Sequence, residues 1–181
     1  MERAVELSQG TTLLLILALA AQPAFAKVVE DRRYHFRADL PGVLSTTVQE
    51  SDQKTGPLTW RAYTSASPGR QAASGYTASV KVFETDSADV RTLFEAGESD
   101  ASQSLAIALI GRRDGTFGPD RLPSLTLKYQ SGRDGAADMV RATVLLVVKG
   151  KRLYEVTFSF NGAADQTVTA TRFFRSFAIL K

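Results

Sequence analysis

Polar and apolar residues alternate with a period of two through most of the chain beyond residue 33, and that alternation predicts strands. Tyr34 to Gly42 reads as a first strand that stops at Pro41-Gly42, with Val43 to Gln49 as its hairpin partner. After a polar stretch from Glu50 to Pro57, Leu58, Trp60, Ala62 and Thr64 share one face of a strand, and Thr59, Arg61, Tyr63 and Ser65 share the other. Tyr76, Ala78, Val80 and Val82 line one face of the next strand, Gly75 to Phe83.

The period then becomes helical. Asp86 to Asp89 offers capping oxygens, Val90, Leu93 and Phe94 follow at helical spacing, and Gly97 closes a short predicted helix. Ser99 caps a second one, in which Ala101, Leu105, Ala108 and Leu109 share a face and Gly111 ends the element. Gly111 to Leu122, rich in Gly, Pro, Arg and Asp, reads as a loop, and Ser124 to Gln130 as a strand.

Met139 to Val148 is apolar on both faces near its end, the pattern of a central strand. Lys149-Gly150-Lys151-Arg152 is a turn, so Leu153 to Phe160 folds back with Tyr154, Val156, Phe158 and Phe160 on one side. Ala170, Phe173, Phe174 and Phe177 at i, i+3, i+4 and i+7 form a helix face that docks on the sheet. The expected fold class is α+β, an antiparallel sheet of about six or seven strands sandwiched by helices.

Lys149-Gly150-Lys151-Arg152-Leu153-Tyr154-Glu155-Val156, Asn161-Gly162 and Arg172-Phe173-Phe174-Arg175-Ser176-Phe177 carry a resemblance to secreted bacterial domains of the PsbP/Mog1-like superfamily. Those domains end in a G-x-R-x-Y hairpin and an R-F-[FL]-x-S-F helix. The match spans Met139 to Leu180, about a quarter of the chain. The resemblance implies an α/β/α sandwich around an antiparallel sheet. Its better-known members are accessory proteins of photosystem II and binders of a nuclear-transport GTPase, and it implies no catalytic residue set.

At the other end, Leu13 to Ala21 is an apolar run followed by Gln22, Pro23 and Ala24-Phe25-Ala26. The run is too short for the roughly 20 residues of a membrane-spanning helix and fits an export signal, with small residues at both positions of an A-x-A site. Cleavage after Ala26 is expected, leaving residues 27–181 as a single domain in the periplasm or outside the cell, without a membrane span. The chain contains no cysteine, which excludes a lipid-modified cysteine, a disulfide and Cys-based zinc motifs.

Residues 1–26 contain one arginine and two glutamates, so their removal raises the formal net charge from +3 to +4. This mild basicity, without a clustered stripe and stacking aromatics, does not read as a nucleic-acid footprint. Apolar residues at 44% and charged residues at 23% are those of a globular protein.

The common signatures of hydrolases, NTPases and dinucleotide enzymes are missing: the sequence holds no G-x-S-x-G, G-x-x-x-x-G-K-[ST] or G-x-G-x-x-G, and no cofactor or metal is expected. His35 is the only histidine and reads as a strand residue flanked by Arg33 and Arg37. Glu84, Asp86, Asp89, Glu95, Glu98 and Asp100 cluster around the predicted helices, where capping and dipole complementation account for them.

Arg112, Arg113 and Arg121, with Arg133 in a second Arg-Asp-Gly turn, are the candidate binding residues. If the two turns share one sheet edge, their guanidinium groups suit carboxylates or phosphates. The leading functional expectation is a non-catalytic binding or assembly module that docks an acidic envelope protein. An alternative is a carrier holding an apolar ligand between sheet and helix near Trp60, Tyr76 or Phe94. A third is an enzyme using His35 or carboxylates such as Asp89.

Overall fold

A computed structural model describes residues 27–45, 59–66, 75–86, 88–132, 139–161 and 166–181. The expected export segment and Arg133 lie outside the described residues. Strands β1 (Lys27–Asp31) and β2 (Phe36–Leu40) form an antiparallel pair, and β3 (Val43–Ser45), β4 (Thr59–Ala66) and β5 (Tyr76–Glu84) follow. Helix α1 (Val90–Leu105) leads into a meander of β6 (Ala108–Phe117), β7 (Leu122–Ser131), β8 (Val140–Lys149) and β9 (Arg152–Asn161). Helix α2 (Thr167–Ser176) and the short β10 (Ala178–Ile179) complete the order.

Two sheets result among the described residues. The larger has seven antiparallel strands in the order β3-β4-β5-β9-β8-β7-β6, and the smaller has the order β1-β2-β10. This is the expected α+β class. Alternation along the central strands gives the large sheet two apolar faces. Phe83, Leu125, Leu127, Val144, Leu146 and Leu153 on one face pack with Leu93, Phe94 and Ala101 of α1. Ala78, Val80, Val82, Val156 and Phe158 on the other meet Phe36, Ala38 and Leu40 of β2 together with Phe173 and Phe177. The aromatic spacing read from the sequence thus places Phe173 against Phe158, with ring centroids 6.1 Å apart, and Phe177 beside Tyr154, also at 6.1 Å.

Several expectations are corrected. The strand after Pro41-Gly42 is not the hairpin partner of the first: β3 pairs with β4, in the other sheet. Gly42 adopts a φ of 86°, and a Cβ there would lie 2.3 Å from the Ala66 carbonyl oxygen, so the Pro-Gly pair passes the chain from one sheet to the other. The strands that do pair with β2 are β1, before the stretch read as the first strand, and β10 near the other end of the chain.

The two predicted helices are one. Gly97 lies inside α1 on its buried face, where the backbone approaches Leu146 and Leu153, and the helix ends at Ala106 in the left-handed conformation. Asp89 is the N-cap, accepting from the Thr92 amide at 2.9 Å, as its position predicted. Ala108, Leu109 and the supposed loop 111–122 belong instead to β6 and its turn into β7. This strand is exposed on both faces over most of its length, so it carries no alternation to read.

Candidate functional site

Strand β6 ends the seven-stranded sheet, and β7 pairs with only one of its sides. Its ten residues are almost all exposed, including Leu109 at 40% and Ile110 at 60% of full exposure. A register shift between Leu109 and Gly111 bulges the strand at Ile110. Among the described residues no strand pairs with its outer side, so a row of main-chain donors and acceptors lies there beside the exposed Leu109 and Ile110.

Two candidate arginines stand on this edge and face opposite ways, because neighbours in a strand alternate. Arg112 points to the α1 side and binds Glu98 at 2.9 Å. Arg113 lies across from Thr126 on the α2 side, sharing that face with Lys128 of β7, and has no salt bridge among the described residues. Between α2 and this face runs a groove of about 490 Å³, bordered by Ile110, Lys128, Arg141, Phe160, Ala170 and Phe174.

Arg121 is elsewhere. It closes the β6–β7 turn with a φ of 51°, its amide bonded to the Gly118 carbonyl at 3.2 Å. Five strand positions separate Arg112 from the end of β6, about 17 Å at strand spacing. The structure therefore does not gather Arg112, Arg113 and Arg121 into one cluster. Arg113 and Lys128 share a face, and Lys128 had no sequence signal beyond its alternation with Leu127 and Tyr129.

The candidate carboxylates are mostly engaged. Glu84 binds Arg152 at 2.6 Å, Glu95 binds Arg91 at 2.9 Å, Glu98 holds Arg112 and Asp89 caps α1. Asp100 reaches Lys81 at 2.8 Å, and this contact leads to a pair the sequence reading missed. Glu155 lies beneath α1 at 2% exposure, with Oε1 at 3.5 Å from Lys81 Nζ and accepting from Thr157 at 3.3 Å. Its Oε2 is buried without a hydrogen-bond partner among the described residues. Burial raises the Glu155 carboxyl to about 7, against the pull of Lys81. Desolvation draws Lys81 down, but Glu155 and Asp100 outweigh it and hold its ammonium above the ordinary lysine value. Among the described residues no group of three or more His, Cys, Asp or Glu side chains is placed to hold a metal.

A cavity of about 300 Å³ opens between α1 and the sheet, bounded by Phe83, Leu93, Gly97, Asp100, Gln103 and Leu153. Of the residues proposed to hold an apolar ligand, Phe94 is packed into the core and Tyr76 stacks on Phe158 at 5.5 Å; neither lines this cavity. The side chain of Trp60 is outside the described residues. His35 sits in the turn between β1 and β2 with a φ of 55°, its Nδ1 at 3.4 Å from the Lys181 main-chain oxygen.

No family model matches the chain, and no curated protein matches it. Solved structures overlap with it at low identity. A Bacteroides thetaiotaomicron protein overlaps with a TM-score of 0.47 and 9% identity over 86% of this chain, which spans about half (49%) of that protein's length. The cyanobacterial PsbP of Synechocystis overlaps at 0.42 and 14%, covering 88% of this chain and 95% of that one. LpqN of Mycobacterium tuberculosis, described as involved in cell envelope biogenesis, overlaps at 0.40 and 13%, covering 83% and 94%.

Proposed function

We propose that the protein is a non-catalytic binding module of PsbP/Mog1-like type that works outside the cytoplasm and receives an acidic partner along β6. The observation that carries this reading is the open ten-residue edge with exposed Leu109 and Ile110 beside Arg113 and Lys128. An extended partner segment adds to the free side of β6 through main-chain hydrogen bonds. Its carboxylates meet Arg113 and Lys128, and its apolar side chains meet Ile110 and Phe174 across the groove. Export is supported by the apolar run Leu13 to Ala21 with its A-x-A site, and the superfamily by the terminal hairpin and helix motifs.

Crosslinking of the tagged protein in its native cell envelope tests this reading. The expected result is a stoichiometric acidic partner whose capture falls with salt and drops about tenfold in Arg113→Glu. Equal capture by Arg113→Glu and wild type at low and high salt overturns it.

The cavity beneath α1 favours a second reading, a carrier of a small apolar ligand, since its volume reaches the lower end of small-molecule sites. A lipid or hydrocarbon that copurifies with the protein and is lost in a Gln103→Trp variant, at an exposed position on the rim of the cavity, would support it.

A further inference from the structure

Away from the β6 edge, the tip of the β8–β9 hairpin meets the turn between β1 and β2 and the chain beyond β10. A cleft of about 510 Å³ opens between them, lined by His35, Glu84, Lys149, Lys151, Arg152 and Lys181 among others. Lysines line it from three places: Lys149 at the end of β8, Lys151 in the hairpin turn and Lys181 after β10. Its one acidic side chain, Glu84, is taken by Arg152, whose Nε and Nη2 both meet Glu84 Oε1 at 2.7 and 2.6 Å. Lys149 donates one hydrogen bond to the Leu180 carbonyl at 3.1 Å, leaving two of its three N–H groups for a ligand. Lys151 and Lys181 are exposed and form no salt bridge among the described residues.

The walls are fixed by bonds between elements rather than by loops alone. The Leu180 amide donates to the His35 carbonyl at 2.7 Å, the Thr85 amide to the Lys151 carbonyl at 3.0 Å, and the Tyr154 hydroxyl to the Tyr34 carbonyl at 2.9 Å. Asp31 accepts from the amides of Arg33 and Tyr34 at 2.9 and 3.1 Å and also from the Tyr63 hydroxyl. These bonds hold His35 in the left-handed conformation, uncommon for any residue other than glycine.

We infer that this cleft binds a multiply charged phosphate group, on a small phosphorylated molecule or on a lipid headgroup. With the Arg152–Glu84 pair neutralised, three lysines leave the cleft an excess of positive charge, which concentrates anions. The planar fork of Arg152 is already used by a carboxylate, so the ligand meets ammoniums, which act as point charges from several directions. That arrangement suits a tetrahedral oxyanion with more than one negative charge better than a planar carboxylate, which a guanidinium fork matches. The volume lies within the range of small-molecule sites, so room remains for the group that carries the phosphate. The inference uses none of the residues on which docking along β6 depends.

Two measurements on the purified protein separate the sources. Calorimetric titration with inorganic pyrophosphate, against citrate at matched ionic strength, reports a free ligand. Cosedimentation with phosphatidylcholine vesicles, with and without phosphatidic acid, reports a headgroup. Saturable binding in either, weakened about tenfold by Lys151→Glu and by Lys149→Ala but unchanged by Arg113→Glu, is the expected result. Lys151 lies in an exposed turn, so its reversal tests the site without disturbing the core. Absence of binding in both measurements, or binding that Lys151→Glu leaves intact, overturns the inference.

Discussion

Lys81 and Glu155 stand directly across from one another on β5 and β9, in the middle of the large sheet, with the ammonium 3.5 Å from the carboxylate beneath α1. The pair has a third member, Asp100, which descends from α1 to the same ammonium. The sheet and its covering helix are therefore joined by charge as well as by the apolar contacts of Leu93, Phe94 and Ala101.

Stability will depend on pH through Glu155. Its carboxyl titrates near 4.5 when unfolded and about 7 when folded, so the native state holds this proton more tightly. The stabilisation is complete below about pH 4.5 and is lost as pH rises through 7, an effect on the order of 3 kcal/mol. Urea unfolding between pH 5 and 7.5 checks this: the wild-type midpoint falls with pH, and Glu155→Gln flattens the slope. Asp89, held low chiefly by its bonds to Thr92, acts in the opposite sense as pH falls below the ordinary aspartate range.

Gly97→Ala will destabilise the fold although alanine is the better helix former. A Cβ at this position meets Leu153 Cδ2 at 2.8 Å and Leu146 Cδ1 at 3.0 Å, and both leucines are buried. Overpacking of about 1–3 kcal/mol outweighs a propensity gain of about 1 kcal/mol. Thermal unfolding will show a lower Tm than wild type.

Ala106→Gly will act in the other direction. Ala106 ends α1 with a φ of 52°, and its amide bonds to the Ser102 carbonyl at 3.0 Å. Glycine takes this conformation without the penalty of a Cβ, a gain of about 1 kcal/mol before its greater unfolded-state freedom offsets part of it. A higher urea midpoint at unchanged m-value is the expected outcome.

Arg112 and Arg113 will separate in mutagenesis. Arg112→Ala releases Glu98 from an exposed pair and changes stability by less than about 1 kcal/mol. Arg113→Glu leaves unfolding unaltered and weakens capture of an acidic partner. Parallel unfolding and capture measurements on the two variants distinguish the roles.

The central strands were legible because each has two buried faces with distinct contents: Tyr154, Val156 and Phe158 lie on one side of β9, and Leu153 on the other. The terminal aromatic spacing was legible for the same reason, since Phe173 and Phe177 both turn inward. Strand β6 was not, because an exposed edge places no periodic demand on Arg112, Arg113, Asp114 and Gly115. Gly97 misled because glycine commonly ends a helix, while here close packing requires it inside one. Glu155 was hidden among apolar neighbours: its partner Lys81 is 74 positions away and is supplied only by strand pairing. The phosphate-type cleft was equally out of reach, because its lysines meet only after β10 docks beside β2.

The sheet order also fixes when the protein can close. Strands β6 to β9 follow one another as a meander and can pair as each emerges, but β5 has β9 as its inner neighbour and must wait across the whole of α1 and the meander. During synthesis from the amino terminus, Val80 and Val82 therefore have no strand beside them on that side until residues 152–161 arrive. A nascent chain shorter than this carries an unfinished sheet, open to a chaperone and prone to wrong pairing, and only about the last sixth of the sequence commits it to the native topology.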